Sequence, residues 1–249
     1  MRNYLYKTFN CLSKSLEIMK KIPKIIHQVW SGVDGPLPQH FKVLGDSWKE
    51  FNPDWEYMLW DNKKMNDLIL EHYPQYWDVY NSFRYNIQRW DAIRYLILDK
   101  VGGVYVDFDT ECLKPLDELL ENRECCFSVE PDEHQQMYHT DIYFNNAFMA
   151  STPGHSFIRK VVEKTFDYNP DADDASNVLA TTGPLMLVDL YENYKRKENV
   201  YLIPAKFTSP LTKSESLAIL NGYESDSLED KIKEAYLIHY FFNGWVSQL

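Results

Sequence analysis

The sequence has no uninterrupted apolar run longer than four residues, as in Leu185–Val188, whereas a membrane-spanning helix needs roughly 20. Met1–Lys24 has no continuous apolar stretch, so the start does not read as a signal peptide, and no N-x-Ser/Thr acceptor occurs anywhere. The four cysteines, Cys11, Cys112, Cys125 and Cys126, show no C-x-x-C spacing and indicate neither a zinc ribbon nor a disulfide framework. These absences together lead us to expect a cytoplasmic protein in a reducing compartment. Positive charge is also scarce. With 26 Lys/Arg against 37 Asp/Glu and a net charge of −11, no dense basic face is available for sequence-independent binding of nucleic acid.

What is present is the composition of a packed globular chain: 249 residues, 45% apolar and 25% charged, within reach of one large α/β domain. Aromatics are abundant, at 7 Trp, 18 Tyr and 13 Phe. Either the core is aromatic-rich or some of these rings line a cleft, where they suit sugars and nucleobases. The basic residues are unevenly placed, with six Lys/Arg and one Glu in residues 1–24. In residues 1–21, Leu5, Phe9, Leu12, Leu16 and Met19 form one helical stripe, with Lys7, Lys14 and Lys21 opposite. Such a basic amphipathic helix suits peripheral contact with an anionic membrane face, packing on the domain, or packing on a second copy.

From residue 22 onward, short apolar runs alternate with helical patterns. Strands are expected at Lys24–Trp30, Trp55–Trp60, Val104–Asp109, Phe144–Ala150 and Tyr236–Phe242. Helices are expected over Phe41–Asn52, Lys63–Glu71, Arg84–Asp99, Ser156–Phe166 and Leu185–Tyr194. This alternation predicts an α/β sheet with helices on both faces. Gly102-Gly103 ends the helix before the third strand, because glycine takes the left-handed C-terminal conformation without a Cβ penalty.

The candidate chemistry centres on Gly102–Thr110, GGVYVDFDT. Strand alternation would place Tyr105, Asp107 and Asp109 on one face and Val104, Val106 and Phe108 on the other. Two carboxylates one residue apart concentrate negative charge that a hard divalent ion relieves; the plain alternative is two solvated loop carboxylates. On the preceding helix, Gln88, Asp91, Arg94 and Tyr95 share a face, so this polar face is placed toward the same cleft. His27 reads as a hydrogen-bonded core histidine, and Cys125-Cys126 as small apolar packing. In Glu130–Asp141, His134 and His139 are five apart, a spacing poor for a shared zinc, so a mobile polar loop beside an acceptor site is expected.

Five blocks in order carry a family resemblance: IPKIIHQVW (Ile22–Trp30), RWDAIRYLILDKVGGVYVDFD (Arg89–Asp109), NNAFMAS (Asn145–Ser151), TGP (Thr182–Pro184) and HYFFNGW (His239–Trp245). The chain resembles glycosyltransferase family 32, the DXD transferases that include Och1-like mannosyltransferases, and is more distantly similar to the catalytic domains of large glucosylating toxins. The resemblance implies a GT-A domain over residues 22–249, a Rossmann-like mixed sheet with helices on both faces. It implies a retaining transfer of a hexose from a UDP- or GDP-sugar, dependent on Mn2+ or Mg2+, to a surface polysaccharide, glycolipid or lipid-linked oligosaccharide. A decayed nucleotide-sugar-binding scaffold and a toxin-like protein glycosyltransferase are the alternatives.

Carried over by position, Trp30 would stack on the donor base, and Asp91 and Arg94 would hold the donor sugar and its phosphates. Tyr105 would contact the nucleotide, Asp107 the ribose or sugar, and Asp109 the metal, with Asp107 beside it. Asn146 would face the sugar near the reacting centre. His239 and Trp245 would close over the diphosphate. Gly244 stands where the family often has Ser, so Asn243 is the candidate replacement in the C-terminal metal contact.

Overall fold

The computed structural model describes residues 21–172 and 177–242. The amphipathic helix expected over residues 1–21 falls on residues 1–20, outside the described residues, as do Asn243, Gly244 and Trp245.

The first half runs β1 (Ile25–Val29), α1 (Gln39–Phe51), β2 (Glu56–Trp60), α2 (Asn62–His72), α3 (Trp77–Ser82), α4 (Asn86–Lys100) and β3 (Gly103–Val106). Then come β4 (Thr110–Cys112), β5 (Cys125–Val129), α5 (Asp132–Met137), β6 (Phe144–Ser151), α6 (Ser156–Phe166), α7 (Val178–Thr181) and α8 (Pro184–Glu192). The last elements are β7 (Tyr201–Ile203), α9 (Ala205–Thr208), α10 (Lys213–Leu220), α11 (Asp226–Ile232) and β8 (Leu237–His239).

Six strands form a mixed sheet in the order β2-β1-β3-β6-β5-β7, and β4 and β8 form a separate two-stranded sheet. β1 pairs parallel with β2 and β3, whereas β6 runs antiparallel between β3 and β5. Side-chain alternation divides the core between the two faces. Tyr105, Cys125, Phe127 and Met149 pack toward α2, α4, α6 and α8, while Val104, Val106, Cys126, Phe148 and Ala150 pack with Trp48 of α1. The mixed α/β architecture with flanking helices is the one expected, and the vicinal cysteines are buried and unbonded, one on each face.

The double glycine connects α4 to β3 under tight steric control. Gly103 has φ +93°, and a Cβ there would lie 2.6 Å from Ile25 O and 2.9 Å from His27 Nε2. His27 is fully buried; its Nε2 donates to Gly102 O (2.8 Å) and its Nδ1 accepts from Trp60 Nε1 (3.1 Å). Burial lowers its pKa to about 4, against the pull of the Gly102 carbonyl. His27 is the core histidine expected, and it braces the turn that launches β3.

Three expectations are corrected. The third strand stops at Val106 rather than Asp109, because the chain turns after Asp107: Thr110 N and Thr110 Oγ1 both donate to Asp107 O, at 3.3 and 2.6 Å. The final strand covers only Leu237–His239, and Phe241 takes φ +53°, a left-handed conformation that ends the extended run. Glu130–Asp141 is not simply a polar loop: it contains α5, and both Glu130 and His134 are buried.

Candidate active site

The turn after β3 and the short β4–β8 sheet bring the acidic pair to the C-terminal strand. Thr110 pairs with His239 in the β4–β8 register, so the residue after Asp109 fixes the position of the imidazole. Tyr240 N donates to Asp109 O (2.8 Å) and Phe242 N to Asp109 Oδ2 (3.0 Å). Phe108 packs against Trp30 and Phe41, at ring-centroid distances of 6.1 and 6.0 Å. The turn, rather than strand alternation, thus orients Asp109.

Behind Asp107 lies a buried network. Helix α4 presents Asp91 and Arg94, three residues apart, and both are buried. The Arg94 guanidinium reaches Asp91 Oδ1 (3.0 Å) and Asp107 Oδ1 (3.1 Å), and donates to the backbone oxygens of Asn146 (3.0 Å) and Trp90 (3.1 Å). Tyr105 OH donates to Asp107 Oδ1 (2.6 Å), and the guanidinium sits 4.6 Å from the Tyr105 ring centroid. Asn146 Nδ2 donates to Asp91 Oδ1 (2.9 Å) and Tyr95 OH (3.0 Å), while Thr182 Oγ1 donates to Asp91 Oδ2 (2.8 Å). Arg94 therefore serves four acceptors of the protein itself and holds the orientation of Asp107.

Burial raises the Asp91 pKa to about 6 even though Arg94 and Thr182 favour its charged form. Burial likewise raises Asp107, with Arg94 opposing it and Asp109 adding like-charge repulsion. Burial pushes Asp109 upward too, but His239 and the Phe242 N–H together hold its carboxyl below the usual range. For His239, burial disfavours the charge, and the surrounding carboxylates, Asp109 first, outweigh it and raise the pKa.

Asp107, Asp109 and His239 each offer a ligand atom, and all three atoms lie within 4.8 Å of one another. His239 Nε2 is 3.4 Å from Asp109 Oδ1, while His239 Nδ1 is buried without a hydrogen-bond partner among the described residues. Two carboxylates and an imidazole fit a divalent ion with mixed oxygen and nitrogen preference.

This cluster opens onto a cavity of about 740 Å³ whose lining includes Trp30, Asp91, Arg94, Tyr105 and Asn146. Eight of the ten sequence-derived site residues thus surround one space, and Asn243 and Trp245 lie outside the described residues. Trp30 lies at the cavity wall, edge-on to Phe41 at 5.7 Å, with Nε1 donating to Gly35 O (3.0 Å). The sequence placed Tyr95 on the cleft-facing side of its helix, Thr182 in a family block and Glu130–Asp141 beside an acceptor site, but assigned no individual contact to Tyr95, Thr182, Glu130 or His134. A carboxylate and an imidazole four residues apart, as at Glu130 and His134, were the available signal for the last pair.

A family model for the glycosyltransferase sugar-binding region containing a DXD motif matches residues 38–125, which hold Asp91, Arg94, Tyr105, Asp107 and Asp109. The chain is 33% identical over 194 residues to inositol phosphoceramide mannosyltransferase 1 of Schizosaccharomyces pombe, covering 75% of this chain and 57% of that protein. It is 34% identical over 176 residues to mannosyl phosphorylinositol ceramide synthase SUR1 of Saccharomyces cerevisiae, covering 70% of this chain and 43% of that protein. The chain thus spans about half the length of these curated relatives. Among solved structures, the PaToxG glycosyltransferase aligns with a TM-score of 0.57 over 95% of this chain and 97% of that one, at 16% identity, a likeness of fold. The acidic turn and its supporting helix thus lie in the part of the chain that matches the DXD-containing glycosyltransferase model, and the chain resembles that family.

Proposed function

We propose that this chain moves a hexose, with mannose the first candidate, from a nucleoside-diphosphate sugar to a hydroxyl of a glycolipid or surface glycan, with retention of anomeric configuration. The observation that carries the proposal is the convergence of Asp107, Asp109 and His239 within 4.8 Å at a cavity wall braced by Arg94. The relatives' names, a mannosyltransferase and a synthase of inositol-containing ceramides, favour mannose and a glycolipid.

Mn2+ or Mg2+ would be held by Asp107, Asp109 and His239, with Asn243 as a further candidate ligand. When bound, the ion would offset the negative charge that develops on the departing diphosphate. The chain's own residues do the positioning. Arg94 and Tyr105 fix one oxygen of Asp107, leaving its other oxygen available to the cavity. Asp91 and Asn146, tied to each other, present a rigid polar wall for sugar hydroxyls. Trp30 provides an aromatic wall for the nucleobase, and base stacking of this kind is worth roughly 1–3 kcal/mol. In the transfer, the bond from the anomeric carbon to the diphosphate oxygen breaks. The acceptor oxygen bonds to that carbon on the same face, and its proton leaves with the diphosphate oxygen. Trp245 would close over the diphosphate, and the basic stripe of residues 1–21 would hold the enzyme near an anionic lipid surface.

The test is nucleotide release from GDP-mannose and a panel of UDP-hexoses with Mn2+, repeated with chelator. The reading predicts release from one donor that stops on chelation. Absence of both release and nucleotide binding, with a glycolipid acceptor supplied, would overturn it.

A further inference from the structure

A second polar pair lines the cavity without joining the network behind Asp107. Glu130 follows β5 and His134 lies on α5, and both are over nine-tenths buried. His134 Nδ1 donates to Glu130 Oε2 at 2.6 Å, and His134 Nε2 accepts from Lys213 N at 3.4 Å, so the ring proton is fixed on the side facing the carboxylate. The Glu130 backbone is also engaged: its N–H donates to Tyr143 O (3.0 Å) and its carbonyl accepts from Gln135 Nε2 (3.3 Å). Among the described residues nothing donates to Glu130 Oε1. An ordered carboxylate oxygen without a donor on a cavity wall calls for a hydrogen-bond donor from water or ligand.

The surroundings narrow the kind of ligand. The Phe241 ring meets His134 edge-on at 5.0 Å and His239 at 3.9 Å, so the Glu130–His134 pair stands one aromatic ring away from the Asp109–His239 cluster. Phe241 holds that place at φ +53°, an uncommon backbone state for a bulky aromatic residue. Tyr138 and Tyr143, stacked at 4.4 Å, also line the cavity. Aromatic rings lining the cavity beside a carboxylate match a ligand with apolar C–H edges and donating hydroxyls.

We propose that Glu130, oriented by His134, is the hydroxyl-binding group of an acceptor subsite for a polyhydroxylated ring, a sugar or a cyclitol. Its part in turnover rests on the transferase reading above; the binding itself does not.

The experiment is an NMR titration of the full chain with myo-inositol and with methyl α-D-mannopyranoside, in the absence of donor. The wild type is expected to bind at least one of these probes. In Glu130→Gln, His134 N–H occupies the amide oxygen, so an NH2 donor faces the cavity where an acceptor stood. The dissociation constant should then rise roughly tenfold, the loss of one charge-assisted hydrogen bond, while the unfolding midpoint holds. Equal binding by wild type and variant, or binding of neither probe by the wild type, overturns the proposal. So does a variant that loses Mn2+ affinity and keeps polyol affinity, which would make Glu130 an electrostatic partner of His239. If Glu130→Gln does not fold, the wild-type His134 ring resonances decide: they should shift as the bound probe saturates, and unmoved resonances refute the subsite. Polyol binding by a chain that, with a glycolipid acceptor supplied, neither releases nor binds nucleotide would retain the subsite and remove the transferase reading.

Discussion

Acid should destabilise this fold through His27, and the structure sets the size of the effect. The imidazole is buried, with Trp60 N–H pointing at Nδ1 and Gly102 O accepting from Nε2, so only the neutral ring satisfies both partners. Protonation would place a charge in the core and set Nδ1–H against the indole N–H. Its folded pKa is lowered from 6.5 to about 4, chiefly by burial. A depressed folded pKa means the unfolded chain takes up the proton first. The stabilisation is therefore fully present above about pH 6.5 and is lost as the pH falls toward 4. A gap of roughly 2.5 units corresponds to about 3 kcal/mol. Asp91 works in the opposite direction, since its raised pKa of about 6 favours the folded state as pH falls. The difference between wild type and His27→Gln removes that term, because Asp91 is common to both. Gln supplies one donor and one acceptor without titrating. Urea unfolding of both proteins at pH 7, 6, 5 and 4 should show the wild type losing about 3 kcal/mol relative to the variant across this range. Parallel curves, separated by a constant offset within about 1 kcal/mol, would refute the burial argument.

Gly103→Ala should destabilise the chain by about 2–4 kcal/mol in the same assay, because a Cβ would meet Ile25 O and His27 Nε2 at a positive φ. A change below about 0.5 kcal/mol would show that the turn relaxes freely. Arg94→Lys keeps the charge but cannot reach four acceptors, so a loss of about 2–4 kcal/mol is expected together with a fall in nucleotide release. Wild-type stability would mean the buried network contributes little. Deleting residues 1–20 should weaken binding to anionic phospholipid vesicles while sparing nucleotide release on soluble acceptors. Unchanged vesicle binding would remove the membrane role of that stripe.

The sheet's centre was legible because its strands follow simple patterns. The IIHQV run of β1 and the GVYV run of β3 combine β-branched residues with a glycine boundary, and the alternation of β3 sorts correctly between the two core faces. β5, with the run CCFSV, and β7, only three residues long, lack that signal and are strands because β5 pairs with β6 and β7 pairs with β5. The Asp91–Arg94 face was legible as polar residues one helical turn apart, but which acceptors Arg94 serves depends on β6 and the turn after β3. Asp109 was placed by alternation for the wrong physical reason, since a turn held by Thr110 and a strand more than 120 residues away in sequence set its direction. Glu130 and His134 were hidden by a polar, acidic context that reads as solvated loop until the cavity wall encloses it.

The central claim is that the carboxylates after β3 form a metal centre for a nucleotide-sugar, and Mn2+ titration followed by electron paramagnetic resonance, in the presence of GDP or UDP, addresses it most directly. The account predicts one saturable Mn2+ site in the wild type. In Asp109→Asn that site should be lost, with a stability change no larger than about 1–2 kcal/mol, an ordinary single-substitution effect. Retained Mn2+ binding in Asp109→Asn, or a collapse of its fold, would contradict the account and make this carboxylate structural.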